Sequence, residues 1–171
     1  MRVGVLTVSD RAARGERPDA SGPALVLRLQ ADGWQVGLQA VVADEPAQIE
    51  STLKTWSDGG EVDLVLTTGG TGFGPRDRTP EATLAVVERL APGLAEAMRL
   101  AGLQTNPHAM LSRAVAGIRG RTLILNLPGS PRGAVESLEA VLPVLHHAVD
   151  LLRDAPEAEA GHRPGPPHPR A

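Results

Sequence analysis

The densest chemical signal in the chain is the loop Thr67-Thr68-Gly69-Gly70-Thr71-Gly72-Phe73-Gly74-Pro75-Arg76-Asp77. Its glycines permit positive φ and let backbone N–H groups approach an anion closely, so it is a candidate phosphate cradle. It lacks the Lys-Ser/Thr ending of a P-loop and the spacing of a dinucleotide fingerprint, and an ordinary Gly-rich turn between strand and helix remains the competing reading. A second loop, Asn126-Leu127-Pro128-Gly129-Ser130-Pro131-Arg132-Gly133, places Ser130 where it can cap a helix whose free N–H groups favour a phosphate or carboxylate. Taken alone, a capped turn with Pro at the first helical position is the commoner use of that pattern. Together the two loops can hold two ends of one ligand.

Three acids follow three strand-like segments: Asp10, Asp44 and Asp77. Convergent carboxylates suit Mg²⁺, which bridges one or two Asp side chains to substrate phosphates. Each acid also has a local alternative: a helix N-cap for Asp44, a salt bridge to Arg76 or Arg78 for Asp77, and pairing with Arg11 or Arg14 for Asp10. Ser112-Arg113 offers a hydroxyl and a guanidinium, but no His is placed to activate a Ser nucleophile. His108, His146 and His147 are not spaced as a metal triad and read as structural. With Trp34, Trp56 and Phe73 the only aromatic residues, little is available to stack on a flavin.

The elements that must position these groups are legible from apolar patterning. Val3 to Val8, Val62 to Thr67 and Thr122 to Leu127 are β-branched and continuously apolar, as in parallel strands covered on both faces. Gln35 to Val42 alternates and belongs nearer an edge, and Ala114 to Ile118 is a short fifth strand. Helices are expected over Ala24 to Asp32 with a cap at Ser21, from Asp44-Glu45-Pro46 to Trp56, from Thr79 to about Arg89, from Pro92 to about Ala101, and over Pro131 to Leu152 with a kink at Pro143. Alternation of this kind predicts a three-layer α/β/α domain around a mostly parallel sheet, with function at the carboxyl ends of the strands.

The chain has 171 residues, 42% of them hydrophobic and 22% charged, which fits one domain (1–153) able to bury a single core. Residues 154–171 are Pro-rich, offer almost nothing to bury, and read as a disordered tail. The absence of Cys excludes disulfides, thiolate zinc sites, iron–sulfur clusters and cysteine nucleophiles. A net charge of −3 without a basic stripe argues against nucleic-acid binding. No stretch reaches the roughly 18 apolar residues of a membrane span, and the short apolar N-terminus reads as a strand instead of a signal peptide, so the expected location is cytoplasmic.

The set Leu6 to Arg11, Ala43-Asp44-Glu45, Leu64 to Gly72 with Arg76 to Thr83, Leu111-Ser112-Arg113 and Leu125 to Pro131 resembles the MogA/MoaB family of molybdenum cofactor biosynthesis. The resemblance covers about residues 2 to 152; five motifs in one order are specific together where each alone is weak. The short form, without an inserted segment before Pro143, looks more like the MoaB branch. The resemblance implies a homotrimer or hexamer, contacts with a molybdenum insertase and molybdopterin synthase, and molybdopterin adenylyltransferase activity using ATP, molybdopterin and Mg²⁺. By the same resemblance Asp44 and Asp77 are the catalytic and metal-holding aspartates. The substrate-binding set it implies is Ser9, Asp10, Thr68, Gly69, Gly70, Thr71, Gly72, Ser112, Arg113, Asn126, Pro128, Gly129 and Ser130. The alternative is a non-catalytic pterin-binding or partner-binding paralogue of the same pathway.

Overall fold

A computed structural model describes residues 1–155. The tail expected from residue 154 lies almost wholly outside the described residues. Six strands form one sheet: β1 (Arg2–Val8), β2 (Gln35–Val42), β3 (Leu64–Thr68), β4 (Arg89–Leu90), β5 (Ala116–Arg119) and β6 (Thr122–Leu127), in the order β2-β1-β3-β6-β5-β4. The first four in that order are mutually parallel, and β5 pairs antiparallel with both β6 and β4. The continuously apolar segments are the buried centre of the sheet, and the alternating β2 is one edge, its residues exposed and half-buried in turn.

The helices are α1 (Asp10–Ala13), α2 (Ser21–Ala31), α3 (Pro46–Asp58), α4 (Thr79–Leu84), α5 (Pro92–Leu103) and α6 (Pro131–Leu152). Helices α2, α5 and α6 cover one face, where Leu25, Leu29, Met98, Leu138 and Leu145 meet Val3, Val5, Leu64, Leu66, Leu123 and Leu125. Helices α3 and α4 cover the other, where Ile49, Leu53 and Ala82 meet Leu6, Val8, Val65 and Ile124. Successive strand residues therefore serve opposite cores, the period-2 consequence of a sheet buried on both sides. Trp56 of α3 lies so close over β1 that a Cβ on Gly4 would sit 2.7 Å from its ring, which explains a glycine in a central strand. Pro143 sits inside α6, which continues to Leu152 as one helix.

Several boundaries differ from the sequence expectation. Helix α4 ends at Leu84, not near Arg89, because Glu88 N–H donates to Ile118 O (2.8 Å) and Ala91 N–H to Ala116 O (2.9 Å), which draws Arg89–Leu90 into the sheet as β4. Ser21 is not the cap of α2. The Asp19 carboxylate takes that role, accepting from the N–H groups of Ser21 (3.0 Å) and Gly22 (3.1 Å). Helix α1 is too short to show a periodicity and was not expected; Ser9 Oγ accepts from Ala12 N–H at its start.

The chain runs from β1 out to β2 on one side and then returns across β1 to β3 on the other. That reversal opens a crevice at the carboxyl ends of the parallel strands.

Candidate active site

The glycine-rich loop leaves β3 in a conformation only glycine takes easily, with φ of +103° at Gly69 and +63° at Gly70. A side chain at Gly70 would also collide, its Cβ falling 2.4 Å from Thr79 Oγ1 and 2.9 Å from Asp44 Oδ1. Four consecutive loop carbonyls are held by donors from elsewhere. Thr79 supplies its Oγ1 to Gly69 O (2.8 Å) and its N–H to Gly70 O (3.1 Å). Arg113 supplies its N–H to Thr71 O (2.9 Å) and its Nε to Gly72 O (2.7 Å). Across the crevice, Thr68 Oγ1 donates to Pro128 O (2.7 Å) and ties the two loops together. Gly129 packs so tightly there that a Cβ would lie 3.1 Å from Gly69 Cα.

Three acids converge as expected from strand polarity, but by non-local bonds. Asp10 and Asp44 clasp one another: Asp10 N–H donates to Asp44 Oδ2 (2.8 Å) and Asp44 N–H to Asp10 Oδ1 (3.0 Å). Asp10 pairs with neither Arg11 nor Arg14 but with Arg76, which forks onto both its oxygens at 3.0 Å and reaches Glu45 as well. That guanidinium, followed by the Asp44 N–H, outweighs desolvation and holds Asp10 below the ordinary carboxylate range. Asp44 is not the cap of α3, a place taken by Glu45. Burial, with the nearby negative charges of Asp10 and Asp77, pushes Asp44 up, against the pull of the Asp10 N–H and Arg76. Asp77 pairs with neither Arg76 nor Arg78. Its Oδ2 accepts from Gly74 N–H (2.8 Å), and Cβ atoms at Gly72 or Gly74 would come within 2.9 Å of that oxygen.

Two cavities meet over this platform. The larger, about 410 Å³, runs between the glycine-rich loop, α5 and the start of α6, and includes Thr71, Gly72, Ser112, Asn126, Pro128 and Ser130. The smaller, about 230 Å³, lies over the ends of β1 and β3 and includes Ser9, Asp19, Asp44, Thr68 and Gly69. Gly70, Asp77 and Gly129 border both.

Of the residues read from the sequence, Asp10 and Arg113 line neither cavity. Asn126 is fully buried, and its side chain is engaged by the protein: Nδ2 donates to Thr67 Oγ1 and Thr83 Oγ1, and Oδ1 accepts from Val115 N–H. Ser130 Oγ accepts from Gly133 N–H as the cap of α6, and Ser112 Oγ accepts from Ala114 N–H. Sequence reasoning missed Thr79 and Arg76 as organisers of the loop, although both belong to quoted motifs. It also passed over Arg99 and Glu136, which line the larger cavity from α5 and α6, while His108, read as structural, lines it from a short turn.

No group of three His, Cys, Asp or Glu among the described residues is arranged to hold a metal by itself. Two carboxylates beside a candidate phosphate cradle nonetheless suit Mg²⁺, because the ion keeps waters and takes phosphate oxygens for its remaining positions. No helix among the described residues is long and apolar enough to cross a membrane.

The chain is similar to known proteins of one family. Residues 4–147 match the family described as probable molybdopterin binding domain. A molybdopterin adenylyltransferase of Helicobacter pylori is 46% identical over 154 residues, spanning 89% of this chain and 88% of the relative. One from Escherichia coli is 42% identical over 183 residues, spanning 96% and 94%. The crystal structure of the molybdopterin biosynthesis enzyme MoaB from Thermus thermophilus superposes with a TM-score of 0.85 at 57% identity, covering 91% of this chain and 98% of that one. With the family match spanning most of its length, this chain belongs to the molybdopterin-binding family of molybdenum cofactor biosynthesis.

Proposed function

We propose that the protein is a molybdopterin adenylyltransferase, joining AMP from ATP to the terminal phosphate of molybdopterin and releasing pyrophosphate. The observation that carries this reading is the pair of cavities meeting at Gly70, Asp77 and Gly129. The product has two ring-bearing halves joined through a diphosphate, and a site for it needs two recesses with a phosphate platform between them. The names of the relatives support the same reaction.

In the reaction a phosphate oxygen of molybdopterin attacks the α-phosphorus of ATP, and the bond from that phosphorus to the β-phosphate oxygen breaks. Little proton transfer is needed. The barrier comes from bringing like charges together in line, so positioning and electrostatic donors matter most. The carbonyls of Gly69 to Gly72 are tied back toward α4 and Arg113, which turns the following N–H groups the other way for phosphate oxygens. Asp44 and Asp77 are the residues that would hold Mg²⁺, which supplies shielding of phosphate charge when bound. Burial and two neighbouring carboxylates make the ionised Asp44 costly without a cation, in keeping with that use. Ser9 and Thr68 border the smaller recess, and Ser112, Pro128 and Ser130 the larger.

On this reading the protein works as a cytoplasmic homotrimer, single or doubled to a hexamer, and passes its product to a molybdenum insertase. Exposed Leu100, Leu103 and Met110 near the larger cavity provide apolar surface that such an assembly would cover. The test is to incubate the protein with molybdopterin, ATP and Mg²⁺ and look for adenylylated pterin by mass. Product supports the enzyme; bound pterin without product establishes a binding protein instead.

A further inference from the structure

The side chain of Arg113 is bound by three partners, yet it borders neither cavity. Its N–H holds Thr71 O (2.9 Å), its Nε holds Gly72 O (2.7 Å), its Nη2 holds Asp77 O (2.6 Å), and its Nη1 is ion-paired with Glu81 at the start of α4. Desolvation raises the Glu81 carboxyl, but the Arg113 pairing with its own backbone bond outweighs this and keeps it below its ordinary value. Glu81 therefore stays charged and anchors one arm of the fork. The other donors reach carbonyls at both ends of the glycine-rich turn.

A trans peptide is planar, with C=O and the following N–H pointing in opposite directions, so fixing a carbonyl fixes the next amide. Holding Thr71 O and Gly72 O sets the N–H groups of Gly72 and Phe73. Holding Asp77 O fixes the backbone from which the Asp77 carboxylate projects, the same carboxylate that accepts from Gly74 N–H. From this geometry we infer that Arg113 is a positioning residue, acting on the reaction through the amides of the glycine-rich turn and Asp77 and not by touching substrate. The inference deepens the adenylyltransferase reading and rests on it for the catalytic consequence alone.

Only a planar fork can donate to Gly72 O, Asp77 O and Glu81 at once, and an ammonium is a single point with the wrong reach. Arg113→Lys is thus expected to lower kcat about 100-fold, the size of effect a misplaced reacting group produces, with KM for ATP changed less than about threefold. Arg113→Gly should lose as much and regain about tenfold in kcat on adding millimolar guanidinium, with an equal concentration of NaCl giving nothing. Hydrogen exchange at Gly74 N–H provides a readout that needs no turnover. It is expected to quicken at least about tenfold in Arg113→Gly and to slow again with guanidinium, while core amides stay protected.

An Arg113→Lys protein with kcat within about threefold of the parent overturns the inference. So does unchanged exchange at Gly74 in Arg113→Gly, whatever the activity. Quickened exchange in the variant together with no product from the parent keeps the staple and sinks the adenylyltransferase reading, so the two failures are distinct.

Discussion

The two ends of the sheet use the same residue types in opposite ways. At the amino end, Asp63 precedes β3 with its side chain only 4% exposed and takes Arg2 N–H (2.9 Å), Arg2 Nη2 (2.7 Å) and the guanidinium of Arg153 from the end of α6. Burial raises its carboxyl, but these donors overwhelm burial and hold it at about 2. At the carboxyl end, Asp44 is clasped by a single N–H and pushed up, and Asp77 keeps one Gly74 N–H. The first end is closed electrostatically and contributes stability. At the second, Arg76 serves Asp10 and Glu45 and leaves Asp44 and Asp77 without a paired guanidinium, which suits the proposed cation.

The comparison breaks first at Asp77. Replacing it with Asn preserves shape and the acceptor for Gly74 N–H while removing the charge, so turnover should fall about 10³-fold with an unchanged melting midpoint. Turnover within twofold of the parent in the mass assay would end the assignment. Gly70→Val tests the platform itself, because the new side chain meets Thr79 Oγ1 and Asp44 Oδ1 and must hold φ at +63°. Binding of Mg·ATP, followed by calorimetry, should weaken by at least about tenfold, with about 1–3 kcal/mol of stability lost to strain. An unaltered affinity would count against the cradle.

The closed end is tested by Asp63→Asn. A carboxyl depressed from an unfolded value near 3.9 to about 2 contributes about 2–3 kcal/mol at neutral pH. Because the folded value is the lower one, that contribution is complete above about pH 4 and disappears as pH falls through about 2. Denaturant titrations of parent and variant should therefore differ by about 2–3 kcal/mol at pH 7 and converge near pH 2. An equal gap at both pH values would mean that packing, not charge, is what the variant lost. Activity at pH 7 in the folded variant should stay near that of the parent.

The central strands were legible because continuous β-branched runs have few other uses, and the two loops because Gly, Pro and Ser punctuate them. What escaped was decided at a distance. Val86 and Val87 continue a helical pattern locally, yet pairing of the next residues with β5 ends α4 early. Arg76 adjoins Asp77 in sequence, which suggested a pair; in space it crosses to Asp10, 66 positions away, and leaves Asp77 with a backbone N–H. Thr79 read as a helix start, and it is one, but its hydroxyl and amide also shape the glycine-rich loop. Local chemistry marked the candidate site, and long-range hydrogen bonds determined which of its members line the cavities and which hold the glycine-rich loop in place.

Asp44→Asn gives the smallest effect on stability and the clearest opposition of sign. A carboxyl whose folded value lies above its unfolded one destabilises the fold once pH rises past the unfolded value, because the native state must ionise against burial and the charges of Asp10 and Asp77. Removing the charge removes that cost, and Asn Oδ1 can still accept from Asp10 N–H. The variant should thus melt at or slightly above the parent at pH 7, lose this advantage as pH is lowered through the carboxylate range, and be poorly active. Added Mg²⁺ with ATP should raise the midpoint of the parent more than that of the variant, since only the parent offers both carboxylates. A fall in stability comparable to that of Asp63→Asn would show that Asp44 serves the fold in the way Asp63 does, and the contrast between the two ends would collapse.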